Sequence, residues 1–183
     1  MSTRSQILFK FPDGQVLVYR HSDGYPYNEA GVIADLVKFL KWNDGRNTQY
    51  DYLIANWFYW SKKWSESYID IKNKGSLHLR KKDLRELEPV KIGHGLDYDG
   101  MLHGDTAYFY TVEFFEVHTK PNIMFSSEID VQVKIRVYER NYDMPYEYPE
   151  QLIRNEKPLM EFFIEHINDY KLVVPKEEEE VIA

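Results

Sequence analysis

A chain of 183 residues, 43% apolar and 16% aromatic, has enough material for one domain-sized core, which excludes disorder as a global description. It contains no cysteine, so disulfides, thiolate metal centres and thiol nucleophiles are excluded. Its net charge of −7 disfavours general nucleic-acid affinity, which rests on Lys and Arg neutralising phosphates.

The charge is uneven. Residues 60–91 hold nine basic and five acidic side chains, so a chain of net −7 carries −11 outside that stretch. Glu177 to Glu180 form a like-charge block, which predicts a single globular domain over 1–175 and an acidic flexible tail over 176–183. Met1 to Gln6 are polar and lack the apolar region of an export signal. The densest apolar run, Trp57-Phe58-Tyr59-Trp60, is far short of the roughly 20 residues of a membrane span. A cytoplasmic protein without a membrane partner is expected.

Ile7, Phe9 and Phe11 alternate with Gln6, Leu8 and Lys10. Pro12-Asp13-Gly14 supplies a turn, and Val16 to Tyr19 resume, which predicts a β-hairpin. The chain then turns through Arg20-His21-Ser22-Asp23-Gly24-Tyr25-Pro26, with Gly24 expected to take the positive φ and Pro26 to block the helical region at Tyr25. Ile33, Leu36, Val37 and Leu40 make one apolar helix face, with Asn28 as the expected N-cap and Asn43-Asp44-Gly45 as the stop. Leu53, Trp57, Trp60 and Trp64 predict a second helix opening near Thr48. Trp60, Trp64 and Tyr68 beside Lys62, Lys63, Lys72 and Lys74 also fit a stacking surface for single strands, but aromatics at helical spacing belong more often to a core. Ser76 to Arg80 read as a short strand and Asp83 to Glu88 as a helical turn.

The glycines between Gly93 and Gly104 argue against a regular element there. Ala107 to His118 predict a long strand paired with Ile129 to Tyr138, where Val131, Val133, Ile135 and Val137 alternate with polar residues. Pro145 and Pro149 read as breakers. Leu159, Phe163 and Ile167 predict a final helix starting between Asn155 and Pro158. The expected fold is therefore α+β, a mainly antiparallel sheet packed against two central helices and a C-terminal helix.

Two corners hold the chemistry-bearing side chains. One carries His21 and Asp23; the other carries His94, Asp97, Asp99, His103 and Asp105. Imidazole and carboxylate together suit a divalent metal, and the same groups suit metal-free acid–base work. The catalytic candidates are His21, Asp23, His94, His103 and Asp105, should the two corners converge. The plainer reading is that Asp and Gly make turns here and that the imidazoles bond loop backbone. No His-Glu-x-x-His, calcium loop, phosphate loop or nucleophile elbow is present, so no motif demands a cofactor. Tyr25, Tyr27 and Tyr98 lie in predicted turns and are the binding candidates, because exposed tyrosines contribute strongly to protein contacts.

Tyr19-Arg20-His21-Ser22-Asp23-Gly24-Tyr25-Pro26, then Gly93-His94-Gly95 and His103-Gly104-Asp105-Thr106-Ala107-Tyr108-Phe109-Tyr110, resemble segments of small uncharacterised proteins carried by phages, archaeal viruses and prophages. The pattern extends over roughly residues 1–140 and omits the acidic C-terminal region. The resemblance implies a viral or mobile-element accessory protein acting in a host cell, and implies no catalytic residues. A binding function toward a host protein is the leading expectation. A metal-dependent phosphodiester hydrolase or nuclease is the first alternative, with a divalent metal as its cofactor. An acidic mimic of nucleic acid is the second. Net charge does not favour nucleic acid as a partner, and the sequence sets no oligomeric state.

Overall fold

The computed structural model describes residues 3–28, 31–43, 46–73, 94–118, 129–140 and 146–171. The predicted segments 76–80 and 83–88 and the acidic tail lie outside the described residues, as do the side chains of Trp64, Tyr68 and the lysines beside them. Among the described residues the framework is a six-stranded, mostly antiparallel sheet with three helices, an α+β fold as the alternation and helical spacing predict.

Strands β1 (Ser5–Phe11) and β2 (Gly14–Arg20) form the expected hairpin. Helices α1 (Val32–Trp42) and α2 (Tyr50–Asn73) follow, then β3 (His94–Leu96), β4 (Tyr108–His118), β5 (Ile129–Glu139), a short helix α3 (Pro149–Asn155) and β6 (Met160–Ile164). The order across the sheet is β3-β2-β1-β4-β5-β6. Only β1 and β4 pair in parallel among the described strands, placing Ile7 beside Tyr110 and Phe9 beside Val112.

Alternation along the strands builds two faces. Ile7, Phe9, Val18, Tyr110, Val112, Val133, Ile135 and Val137 point toward α1 and α2 and are buried with Ile33, Leu36, Phe39, Leu40, Leu53 and Trp57. Trp57 meets Phe9 at 5.9 Å and Phe39 edge-on at 5.1 Å, while Trp60 stacks on Trp57 at 5.8 Å. Fully burying each such side chain contributes about 1.5–3 kcal/mol, so α2 is a principal support of the sheet. Trp60 belongs to this core rather than to a stacking surface.

The opposite face is also covered in part. Leu8, Leu17, Phe109 and Tyr138 are buried there beneath Leu102 and Leu152. Thus α3 and the β3–β4 connection close the end of the sheet that the alternation alone would leave in water.

Several local expectations are corrected. The chain over Met160–Ile164 is an edge strand on β5, with Phe162 opposite Ile135 and Ile164 opposite Val133, instead of a C-terminal helix. The helix lies earlier, because Pro149 is its first residue, where a missing N–H costs nothing, and Gln151 Oε1 accepts the backbone N–H groups of Glu147 and Tyr148 at 2.8 and 3.1 Å. Asn28 is not the cap of α1. It takes φ 64°, and Gly31 is the N-cap. The glycine-rich stretch still forms the three-residue β3, because β2 offers it a free edge.

In the first corner the positive φ falls on Asp23, at 51°, and not on Gly24. Gly24 is needed for space. A Cβ there would lie 2.8 Å from the backbone of both Arg4 and Ser5, and the Gly24 N–H donates to Thr3 O at 2.9 Å. Gly24→Ala is accordingly expected to push this corner off β1 and destabilise the fold by about 1–3 kcal/mol, read as a lower urea midpoint at unchanged m.

Candidate functional site

Both corners flank the start of β1. Gly24 N bonds Thr3 O, and Ala107 N bonds Arg4 O at 2.9 Å on the other side. The sheet nevertheless divides their side chains. Arg20 points to the helices, donating to Asp35 Oδ2 of α1 at 2.7 Å and to Ser22 O at 2.8 Å. His94 is paired with Arg20 in the β2–β3 register and shares that face, its ring perpendicular to Trp57 at 5.8 Å. Burial, reinforced by Arg20, pushes the His94 pKa down to about 3, and among the described residues neither ring nitrogen has a hydrogen-bond partner. Both of its ring nitrogens are buried, which favours the neutral imidazole.

Tyr19, one residue from Arg20, faces the other way and lies 5.0 Å from the His103 ring. On this second face His103 Nε2 is 2.8 Å from Asp97 Oδ1. The Asp97 side chain is only 7% exposed, whereas His103 is 38% exposed, so the carboxylate orients an imidazole that still reaches water.

Gln6 organises the loop. Its Nε2 donates to Asp97 Oδ2 at 2.7 Å and to Met101 O at 2.8 Å, and its Oε1 accepts the His103 N–H at 2.9 Å. Arg140 adds a bond to His103 O at 2.6 Å, and Thr106 Oγ1 adds another at 2.9 Å. Asp99 Oδ1 accepts the Met101 N–H at 3.1 Å and closes the turn. Asp105 is held apart from this cluster by Arg4 at 2.5 Å and the Tyr19 hydroxyl at 3.3 Å.

Of the sequence-chosen side chains, the structure groups Asp97, Asp99 and His103, each offering one ligand atom within 4.8 Å of the others. His94 is on the far face of the sheet. His21 and Asp23 are exposed at the first corner, and the His21 ring is 6.3 Å from Tyr19. Neither joins the three-residue group. Among the tyrosines, Tyr98 is 98% exposed at the tip of the loop, while Tyr25 and Tyr27 are half-buried.

Gln6, Tyr19, Thr106 and Arg140 are the members that sequence reasoning does not single out. Gln6 is wholly buried in a strand whose alternation places it with the solvent-facing residues. One polar amide directly before Ile7 and Leu8 is the signal that would have found it.

No family model, curated protein or solved structure matches the chain. No helix among the described residues is long and apolar enough to cross a membrane.

Proposed function

We propose that the chain is a binding protein that engages a partner protein through the loop carrying Tyr98, in the role of a viral or mobile-element accessory factor. The observation carrying this reading is a fully exposed tyrosine on a loop tied down from beneath by Gln6, Arg140 and Asp99. Tyrosine supplies large contact area at low entropic cost, and a loop already ordered before contact loses little freedom on association. Photo-crosslinking tests it. A benzophenone side chain installed at position 98 is expected to give a discrete protein adduct in the cells where the chain is naturally made. The same group at Tyr52, also exposed but on α2, is expected to give none. Equal labelling from the two sites, or none from position 98, counts against the reading.

A second reading is favoured by the convergence of Asp97, Asp99 and His103. Two carboxylates and an imidazole suit Mn²⁺, Mg²⁺ or Zn²⁺, and such an ion would generate hydroxide for attack on a phosphodiester. His103 Nε2 would then exchange its bond to Asp97 for the ion. Stoichiometric Mn²⁺ is expected to broaden the amide resonances of residues 97–103 and to activate hydrolysis of bis(4-nitrophenyl) phosphate under this reading. Absence of both effects removes it.

A further inference from the structure

Strand β6 is an outer strand of the sheet. One of its edges pairs with β5, and no described strand lies along the other. After Ile164 the chain turns toward the helical layer, where Ile167 is buried in the main core and Lys41 of α1 donates to Tyr170 O at 2.7 Å, so the described residues leave that edge open. An open edge presents a row of backbone N–H and C=O groups that another strand can take up, and edges guarded against this carry a Lys, a Pro or a bulge. Met160-Glu161-Phe162-Phe163-Ile164 has no Lys or Pro, and its register with β5 runs without interruption. Its single charge, Glu161, is drawn sideways by Lys134 and Arg136 of β5 at 3.0 and 2.7 Å. Phe163 is 48% exposed, and Leu159 just before the strand is 45% exposed. The other outer strand, β3, has three residues and offers a shorter ladder.

We propose that β6 pairs antiparallel with β6 of a second copy of this chain, joining two sheets into one. A two-fold axis perpendicular to the sheet keeps both helical layers on the same side, so facing residues must share a face and the axis must pass through a residue. With Phe162 on the axis, Phe162 meets its own copy, Met160 meets Ile164 and Glu161 meets Phe163. Met160, Phe162 and Ile164 already pack on the helical side, so the apolar row of one copy continues into that of the other. Moving the axis to Glu161 sets that carboxylate against itself, and moving it to Phe163 sets Glu161 against Glu165. Like charges directly opposite are destabilising, so the charges of the strand select Phe162 as the centre. This match of the segment to itself singles out a second copy over an unrelated strand. A five-residue ladder flanked by Phe163 and Leu159 falls short of a standard interface, which sets Kd at about 10–100 µM.

Sedimentation equilibrium of the full chain is expected to show the mass rising from 22.0 kDa toward twice that value between about 5 and 500 µM. Within one copy position 163 lies opposite Lys134, so Phe163→Glu is compatible with the monomer, but across the join it sets a carboxylate against Glu161 twice. Phe163→Lys instead sets an ammonium against Glu161 at both places. It is expected to dimerise about tenfold more tightly than Phe163→Glu. The same pair of changes at Tyr52, exposed on α2, is expected to leave the two proteins alike, which separates the contact from net charge. Cross-linking reads the register, because the chain has no cysteine of its own. Phe162→Cys, on the axis, is expected to oxidise to a disulfide-linked dimer, whereas Glu161→Cys lies offset from its copy and is not. A monomer throughout the concentration range, equal Kd for the two variants at position 163, or linkage through position 161 in place of 162 each overturns the inference.

Discussion

Acidification from pH 7 to pH 5 is expected to cost the fold roughly 2 kcal/mol through His94 alone. The cause is burial between β3 and α2, with Arg20 adding to it, which takes this imidazole down to about 3 from its ordinary 6.5. A histidine titrating lower in the folded than in the unfolded chain leaves stability intact above the unfolded value. That stability is lost as pH falls toward the folded one, because only the unfolded state takes up the proton. Urea unfolding at the two pH values checks this, with His94→Leu as the comparison. The variant removes the titration and fills the same apolar space against Trp57 and Phe58. Wild type should lose about 2 kcal/mol more than His94→Leu over this interval. Parallel losses in the two proteins would show that the imidazole is hydrated in solution.

The same residue shows why part of this molecule is legible from sequence and part is not. Val131 to Val137 announce a strand because period-two alternation has one physical reading at that length, and the spacing of Leu53, Trp57 and Trp60 announces a helix for the same reason. Leu159, Phe163 and Ile167 also satisfy helical spacing. Yet Met160-Glu161-Phe162-Phe163-Ile164 is a short run that satisfies strand alternation equally well, and the open edge of β5 decides between them. The parallel pairing of β1 with β4 joins residues about a hundred positions apart, and no local pattern encodes it.

At the site, the residue types were visible and their partition was not. His94 and His103 lie nine residues apart in one glycine-rich stretch. The register with Arg20 turns His94 under the helices, and the turn through Asp97 to Met101 brings His103 to the other face. Gln6 shows the converse. A strand residue reads as solvent-facing until a loop from elsewhere in the chain folds over it and uses both ends of its amide.

Arg20→Met is expected to be the most damaging single change in the first corner, at about 3–5 kcal/mol. The guanidinium holds Asp35 on α1 and Ser22 O in the turn, so its loss uncouples the helix from the corner and strands a buried carboxylate. Asp35 already titrates above the ordinary carboxylate range because burial outweighs the pull of Arg20, and its Oδ1 has no hydrogen-bond partner among the described residues. Removing Arg20 takes away the main opposing influence and raises it further. A carboxyl raised in the fold favours the folded state at low pH and loses that contribution as pH rises through its folded value, so Arg20→Met should be least stable near neutrality and recover on acidification. This is opposite in sign to the effect of His94, and a His94→Leu background isolates it. Because the defect is an uncompensated charge, Arg20→Met combined with Asp35→Leu should regain most of the lost stability, as replacing both members of a buried pair commonly does. The double variant still lacks the bond to Ser22 O, so a remainder of about 1 kcal/mol is expected to persist. Additive losses in the double variant, with no recovery at low pH in the single one, would show that the pair is solvated and that the corner is held mainly by the backbone bond of Gly24.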